Sequence, residues 1–217
     1  MILAIDTATQ YAGLALYTPN GLTAEEAWFA GRNHTVELMP RIVRMLTRAN
    51  VEVSGLTALS VTLGPGSFTG LRIGLAVAKG MALPYKLPVI GVPTLDVVAY
   101  PFKDNPLPLW TIVQAGRGRI LAACYAGQTG AAWQQTVAPY LTTVEALAAT
   151  VDTGSICAGE IDQEAAATLE QNPKIRIIPP AARLRRAGYL AEIAAARLEA
   201  NAQDDPDALV PIYVSSP

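Results

Sequence analysis

Residues 1–17, MILAIDTATQYAGLALY, run apolar, then small and polar, then apolar again, which predicts a β-hairpin. Leu38, Ile42, Met45, Leu46 and Ala49 then recur at helical spacing and would share one face. Pro40 lies near the start of that helix, where a missing N–H is best tolerated. A strand over 58–62 (ALSVT) feeds a glycine-rich turn, a helical run over about 67–83 and a short strand, LPVIGV. PFKDNPLP (101–108) has three prolines and no periodicity, and reads as the linker. Two lobes are therefore expected, 1–103 and 104–217, with the last helix free to pack back on the first lobe.

Past the linker, LWTIVQAGRGRILAACY repeats the apolar–turn–apolar outline. Superposing the two outlines pairs Ile5 with Val113, Asp6 with Gln114 and Tyr17 with Tyr125, the mark of an internal duplication. Helical patterns follow at TTVEALAAT and QEAAATLEQ, strands at GSICAG and KIRIIP, and a long helix through RAGYLAEIAAARLEA. Hairpins followed by alternating helices and strands, given twice, predict two α/β lobes with mixed sheets.

A chain of 217 residues can bury a substantial core. Apolar residues make up 51%, charged residues 16%, and mean hydropathy is +0.28, which leaves room for a buried partner surface. The net charge of −2 offers no electrostatic footprint for nucleic acid. Arg183, Arg185 and Arg186, the tightest basic cluster, read as a solvated helix start. Cys124 and Cys157 read as reduced core residues. Asp6 interrupts the apolar start, unlike a secretory signal, and no apolar run reaches the ~18 residues of a membrane span. The expected location is the cytoplasm.

The glycine turn sits in TLGPGSFTGLRIGLAVAKGMAL, residues 62–83. Gly64, Gly66 and Gly70 give G-x-G-x-x-x-G, with no lysine where a phosphate-binding Walker loop needs one and the third glycine one place late for a dinucleotide fingerprint. Ser67 and Thr69 can cap the helix without a ligand. Gly70, Gly74, Ala78 and, slightly round the helix, Gly80 leave one side nearly free of side chains, although helix-interior glycine is unfavourable by roughly 0.8–1 kcal/mol against alanine. Such a side packs closely either on the chain's own sheet or on another chain's helix. His34 is the single histidine, so neither a His-rich metal set nor a Ser–His–Asp set can be assembled around it. Asp6 could hold metal-bound phosphate or satisfy turn amides, while its counterpart Gln114 is neutral. Arg117 and Arg119, in the second turn, form an anion site or face water.

ILAIDTAT, H-T-x-x-L-M-P, GPGSFTGLRIG, GVPTLD and the final P-I-Y together resemble the TsaB (YeaZ) family, most closely over residues 1 to about 100. The resemblance implies the two-lobed, ribonuclease H-like fold shared by actin, sugar kinases and heat-shock ATPases, with mixed sheets. It implies a non-catalytic subunit that binds and activates TsaD in threonylcarbamoylation of adenosine 37 of tRNA, alongside the ATPase TsaE. The subunit would hold no cofactor of its own, ATP and a metal belonging to its partners, and would contact tRNA only indirectly. The family pairs through the two helices after the first hairpin, here about Thr35–Ala49 and Ser67–Leu83, and forms homodimers through a similar surface. That assigns Thr35, Leu38, Ile42, Ser67, Gly70, Arg72, Ile73, Gly74, Val77 and Ala78 to partner binding. The catalytic paralogue binds metal with H-x-x-x-H, whereas here Leu38 follows His34. Gln114, Gly116 and Arg119 depart from the family's D-A-R-x-G-E hairpin, and Ser215 replaces an arginine near the end. The alternative is a stand-alone ATP-dependent kinase or acyltransferase of the same fold, using Asp6 and Mg²⁺. A peptidase, served by a single histidine, is poorly supported.

Overall fold

A computed structural model describes residues 1–127 and 133–214; Ser215 lies outside the described residues. The first half runs β1 (Ile2–Asp6), β2 (Tyr11–Thr18), β3 (Gly21–Phe29), α1 (His34–Ala49), β4 (Ala58–Gly64), α2 (Phe68–Ala82), β5 (Val89–Pro93) and α3 (Thr94–Ala99). The second half runs β6 (Leu109–Gly116), β7 (Arg119–Ala126), β8 (Gln134–Thr142), α4 (Val144–Thr150), β9 (Ser155–Gly159), α5 (Gln163–Leu169) and β10 (Ile175–Ile177), and ends in α6 (Ala187–Glu199). Strand order is β3-β2-β1-β4-β5 in one sheet and, correspondingly, β8-β7-β6-β9-β10 in the other. In both sheets the first three strands are antiparallel and the last three parallel. The repeat extends to backbone detail: Gly64 and Gly159 end β4 and β9 with the same φ of +112°.

Local chemistry accounts for the elements. β1 lies at the centre of its sheet and is buried on both faces, so ILAID is continuously apolar up to its aspartate. The Ser67 hydroxyl caps α2 by accepting from the Gly70 N–H at 3.2 Å. Thr143 and Asp162 cap α4 and α5 in the same way. Asn50 closes α1 in the left-handed conformation, φ 53°.

The chain forms two units, one of Met1–Val97 with Arg186–Ile212 and one centred on Val98–Arg185. The last helix and the segment after it thus count with the first unit: the helix packs back on the first lobe, as the sequence division at 103/104 left it free to do. The reason is a small-residue contact. Ala187, Leu190, Ala191 and Ala194 of α6 pack on Ala4, Ala15, Ile90 and Val92, the sheet face opposite α1 and α2. A Cβ on Gly13 would already sit 3.3 Å from the Ala187 methyl. In the second unit, Leu147 and Val151 from α4 and its end, with Ala165 and Leu169 of α5, cover Ile112, Ile120, Ala122 and Cys157.

The basic cluster is only in part a solvated helix start: Arg186, at the N-cap of α6, is exposed, but Arg185 is not. Arg185 is buried against Glu160 at 3.2 Å, Arg183 donates to the Ile161 carbonyl, and Arg186 pairs with Glu25. Each guanidinium is committed to a partner within its own unit.

Candidate partner-binding site

The turn between β1 and β2 organises the region. Asp6 is buried, and its Oδ1 accepts from the Ala8 N–H and the Thr62 hydroxyl, both at 3.0 Å. The Thr7 hydroxyl donates to the Gly70 carbonyl at 2.8 Å, and the Ser67 N–H donates to the Ala8 carbonyl at 2.6 Å. His34, also buried, donates from Nε2 to the Thr9 carbonyl at 2.8 Å, a bond that requires the proton on Nε2. One four-residue turn therefore seats the N-termini of both α1 and α2.

The glycines follow from this seating. A Cβ on Gly66 would overlap the Ala8 carbonyl, one on Gly70 the Thr7 carbonyl, and one on Gly74 the Thr7 hydroxyl. Gly70, Gly74 and Ala78 are buried on this chain's own turn and on β4. Of the two packings that their spacing allows, the structure has the internal one, and a partner's helix cannot reach these three positions. Gly80 differs: it is exposed, with nothing within 4 Å of an added Cβ.

The assigned residues divide accordingly. Leu38 and Ile42 are 1% and 0% exposed and belong to the core with Leu3, Ile5, Leu14 and Leu59, so they are not contact residues. Their face of α1 was legible as apolar, but the sheet takes it. Thr35, Ser67 and Arg72 are exposed, and Ile73 and Val77 half-buried. Sequence reasoning missed the outward apolar line of α1: Val36, Met39 and Val43 are 67%, 41% and 56% exposed. Their i, i+3, i+7 spacing was a second apolar stripe on a helix that already had one. Phe68, which opens α2, and Leu83, its C-terminal cap residue, are 55% and 79% exposed, and the Arg72 guanidinium lies 3.7 Å over the Phe68 ring. α1 and α2 touch, so these residues lie on neighbouring helices of one layer.

Charge flanks the α1 line. Arg41 bonds both Glu37 and Glu26, and Arg44 reaches both oxygens of Glu26 at 2.8 and 2.9 Å. Burial pushes the Glu26 carboxyl upward, but hydrogen bonds and charge from Arg44 and Arg41 outweigh it and hold its pKa below the ordinary value. A cavity of about 450 Å³ opens beside this network, between β3 and α1. In the second unit, Glu160 fills the corresponding turn. Its carboxylate accepts from the Gln114 N–H and its carbonyl from the Gln114 side chain, at 3.2 and 3.1 Å. Arg117 is exposed at the turn's tip. Among the described residues no three His, Cys, Asp or Glu side chains gather as a metal set, and no helix is long and apolar enough to cross a membrane.

Residues 28–167 match the family model described as TsaD: tRNA N6-adenosine threonylcarbamoyltransferase. The chain is 35% identical over 134 residues to TsaB of Escherichia coli K12 and 32% identical over 129 residues to TsaB of Bacillus subtilis 168. The chain belongs to this family, in its TsaB (YeaZ) branch. The matched stretches take in 61% and 59% of this chain but only 58% and 56% of those relatives. YeaZ of Pseudomonas aeruginosa superposes with a TM-score of 0.79 at 22% identity, over 98% of this chain and 99% of that one, and so shares the fold. The architecture of two mixed sheets is thus common to this chain and that protein.

Proposed function

We propose that the chain acts in tRNA threonylcarbamoyladenosine biosynthesis as a subunit without chemistry of its own, binding and activating a TsaD-type transferase that modifies adenosine 37. The observation that carries this reading is the outward apolar line Val36–Met39–Val43 on α1, with Phe68 exposed on α2, on the two touching helices that follow the first hairpin. Folded monomers expose single apolar side chains freely, but a contiguous row on adjacent helices favours association. The binding face is therefore the outer surface of α1 and α2, where Thr35, Ser67 and Arg72 are exposed, and not the side of Gly70, Gly74 and Ala78, which the chain itself fills. Docking there would stabilise the active conformation of the transferase by its differential affinity for that conformation. ATP and metal belong to the transferase and to a TsaE-type ATPase, and tRNA is reached through the complex.

Two features count against the kinase or acyltransferase alternative. The Asp6 carboxylate is engaged by the Ala8 N–H of its own turn and by the Thr62 hydroxyl of β4, and the equivalent position in the second unit is the neutral Gln114. The test is complex formation between the purified chain and its cognate transferase, measured by calorimetry, together with modification of tRNA in the reconstituted system. Met39→Glu and Val43→Glu should leave the thermal transition nearly unchanged, because both side chains face solvent, yet abolish the complex and the activation. Folded variants that bind and activate like the parent would overturn the reading.

A further inference from the structure

The turn between β6 and β7 holds an arginine in a backbone conformation that arginine rarely takes. Gly116, Arg117 and Gly118 all have positive φ, +74°, +56° and +70°. Arg117 and Gly118 form the two-residue loop, for which asparagine and glycine are the favoured pair, and an arginine at positive φ is strained. Arg117 is exposed, and a Cβ added at either neighbouring glycine would meet nothing within 4 Å. Among the described residues neither Arg117 nor Arg119, which lies across the turn from Gly116, has a hydrogen-bond or ion-pair partner. Glu160, the acid bonded to this turn, is already shared between the Gln114 N–H and the Arg185 guanidinium.

The counterpart turn of the first unit has a structural use. There Thr7, Ala8 and Thr9 are buried, and the Ala8 and Thr9 carbonyls hold Ser67 and His34 at the starts of α2 and α1. Positions 116–118 are all exposed instead. Two uncompensated guanidiniums on one tight turn repel each other, and backbone strain of this kind points to a ligand that offsets it. No large apolar side chain lies between Gln114 and Arg119, so the turn offers a protein surface little to bury. Its open tip would leave a small anion hydrated. A polyanion held through successive phosphates suits it, because arginine pairs with phosphate and the flanking glycines let a backbone come close. Within the proposed function that polyanion is tRNA. With a net charge of −2 the chain has too little positive field to gather tRNA by itself, so the contact belongs to the assembled complex.

We infer that the turn from Gly116 to Arg119 is a tRNA contact, in which Arg117 and Arg119 hold backbone phosphates once the complex with the transferase has formed. This rests on the reading that the chain works with a TsaD-type transferase, and adds a direct hold on the RNA. The experiment uses the complex of the full chain with its cognate transferase. Assembly is measured by calorimetry, and affinity for unmodified tRNA by fluorescence anisotropy across a salt series. Arg117→Glu combined with Arg119→Glu should leave assembly unchanged. It should weaken tRNA binding by about tenfold and lower the slope of log affinity against log salt by about 1–2. Arg117→Asn should hold or raise Tm, because asparagine suits the left-handed backbone, and still weaken tRNA binding. A purely structural arginine would not move stability and affinity in opposite directions. Charge-reversed complexes that bind tRNA like the parent, with the same salt slope, would overturn the inference and leave the transferase reading intact. Weakened assembly, with tRNA affinity of the remaining complex unchanged, would make the turn a protein contact and overturn it too. A parent chain that forms no complex with the transferase would overturn that reading and this inference with it.

Discussion

Gly74 and Thr7 offer a direct test of how α2 is seated. A methyl group at position 74 would overlap the Thr7 hydroxyl, while lying 3.5 Å from both the Thr7 Cβ and a Val61 methyl, which is ordinary contact. Only the hydroxyl therefore obstructs it. In Gly74→Ala the hydroxyl must turn away from the Gly70 carbonyl, losing a net ~1 kcal/mol for the hydrogen bond and more if the buried group stays unpaired. Local overpacking adds about 1–3 kcal/mol, and the better helix propensity of alanine returns about 1. The sum is a destabilisation of about 1–3 kcal/mol, or several degrees in Tm for a chain of this size. Thr7→Ala alone should also destabilise, by about 2 kcal/mol, through the lost bond and the small void. The double variant puts the new methyl where the hydroxyl was. It should be more stable than the sum of the single changes predicts, by about 1–2 kcal/mol. Urea or thermal unfolding of all four proteins closes the cycle. Additivity within about 0.5 kcal/mol would refute the claim that Thr7 fills the space Gly74 leaves.

Other outcomes follow from the same geometry. Gly159→Ala should be harsher, at about 3–5 kcal/mol, because φ +112° strains any side chain and the methyl would run into the Ile112 carbonyl, as thermal unfolding would report. Glu26 has a folded pKa below its unfolded one, so its contribution to stability is present above the unfolded value and lost as pH falls through the folded value. Glu26→Gln should therefore lower Tm at pH 7 and flatten its dependence on pH below about 4.5, with the gap to the parent closing as acid is added. Burial pushes the Cys157 thiol up to about 12, with Cys124 adding to it. Native protein at pH 8 should resist iodoacetamide at Cys157 by mass spectrometry, and denaturant should expose it.

The order of elements was legible in the chain because each is announced by local chemistry. β1 shows as a solid apolar run, α1 as an apolar face at helical spacing, and α2 as a run opened by a capping serine. β3 and β8 were not legible. Both lie at sheet edges, half exposed, and GLTAEEAWF and QQTVAPYLT lack the alternation of strands that cover a core. Pairing the two hairpins in the sequence pointed to duplication, and the matching strand orders have the same physical origin, since one pattern of alternation folds into one topology.

Which neighbour meets a given face was decided only in three dimensions. Spacing alone says that Gly70, Gly74 and Ala78 permit close approach, but not that a turn more than sixty residues earlier in the chain makes it at Gly70 and Gly74. Leu38 and Ile42 are apolar, as a contact residue or a core residue would be, and the sheet beneath α1 determines that they are core. The outward row of Val36, Met39 and Val43 becomes visible as a surface only after the inner stripe has been used. Likewise Arg185 reads as solvated until the fold lays Glu160 beside it. Sequence sets which residues favour burial, close approach or charge. The partner for each is set by long-range packing, because the chain brings distant segments together and each site can be filled only once.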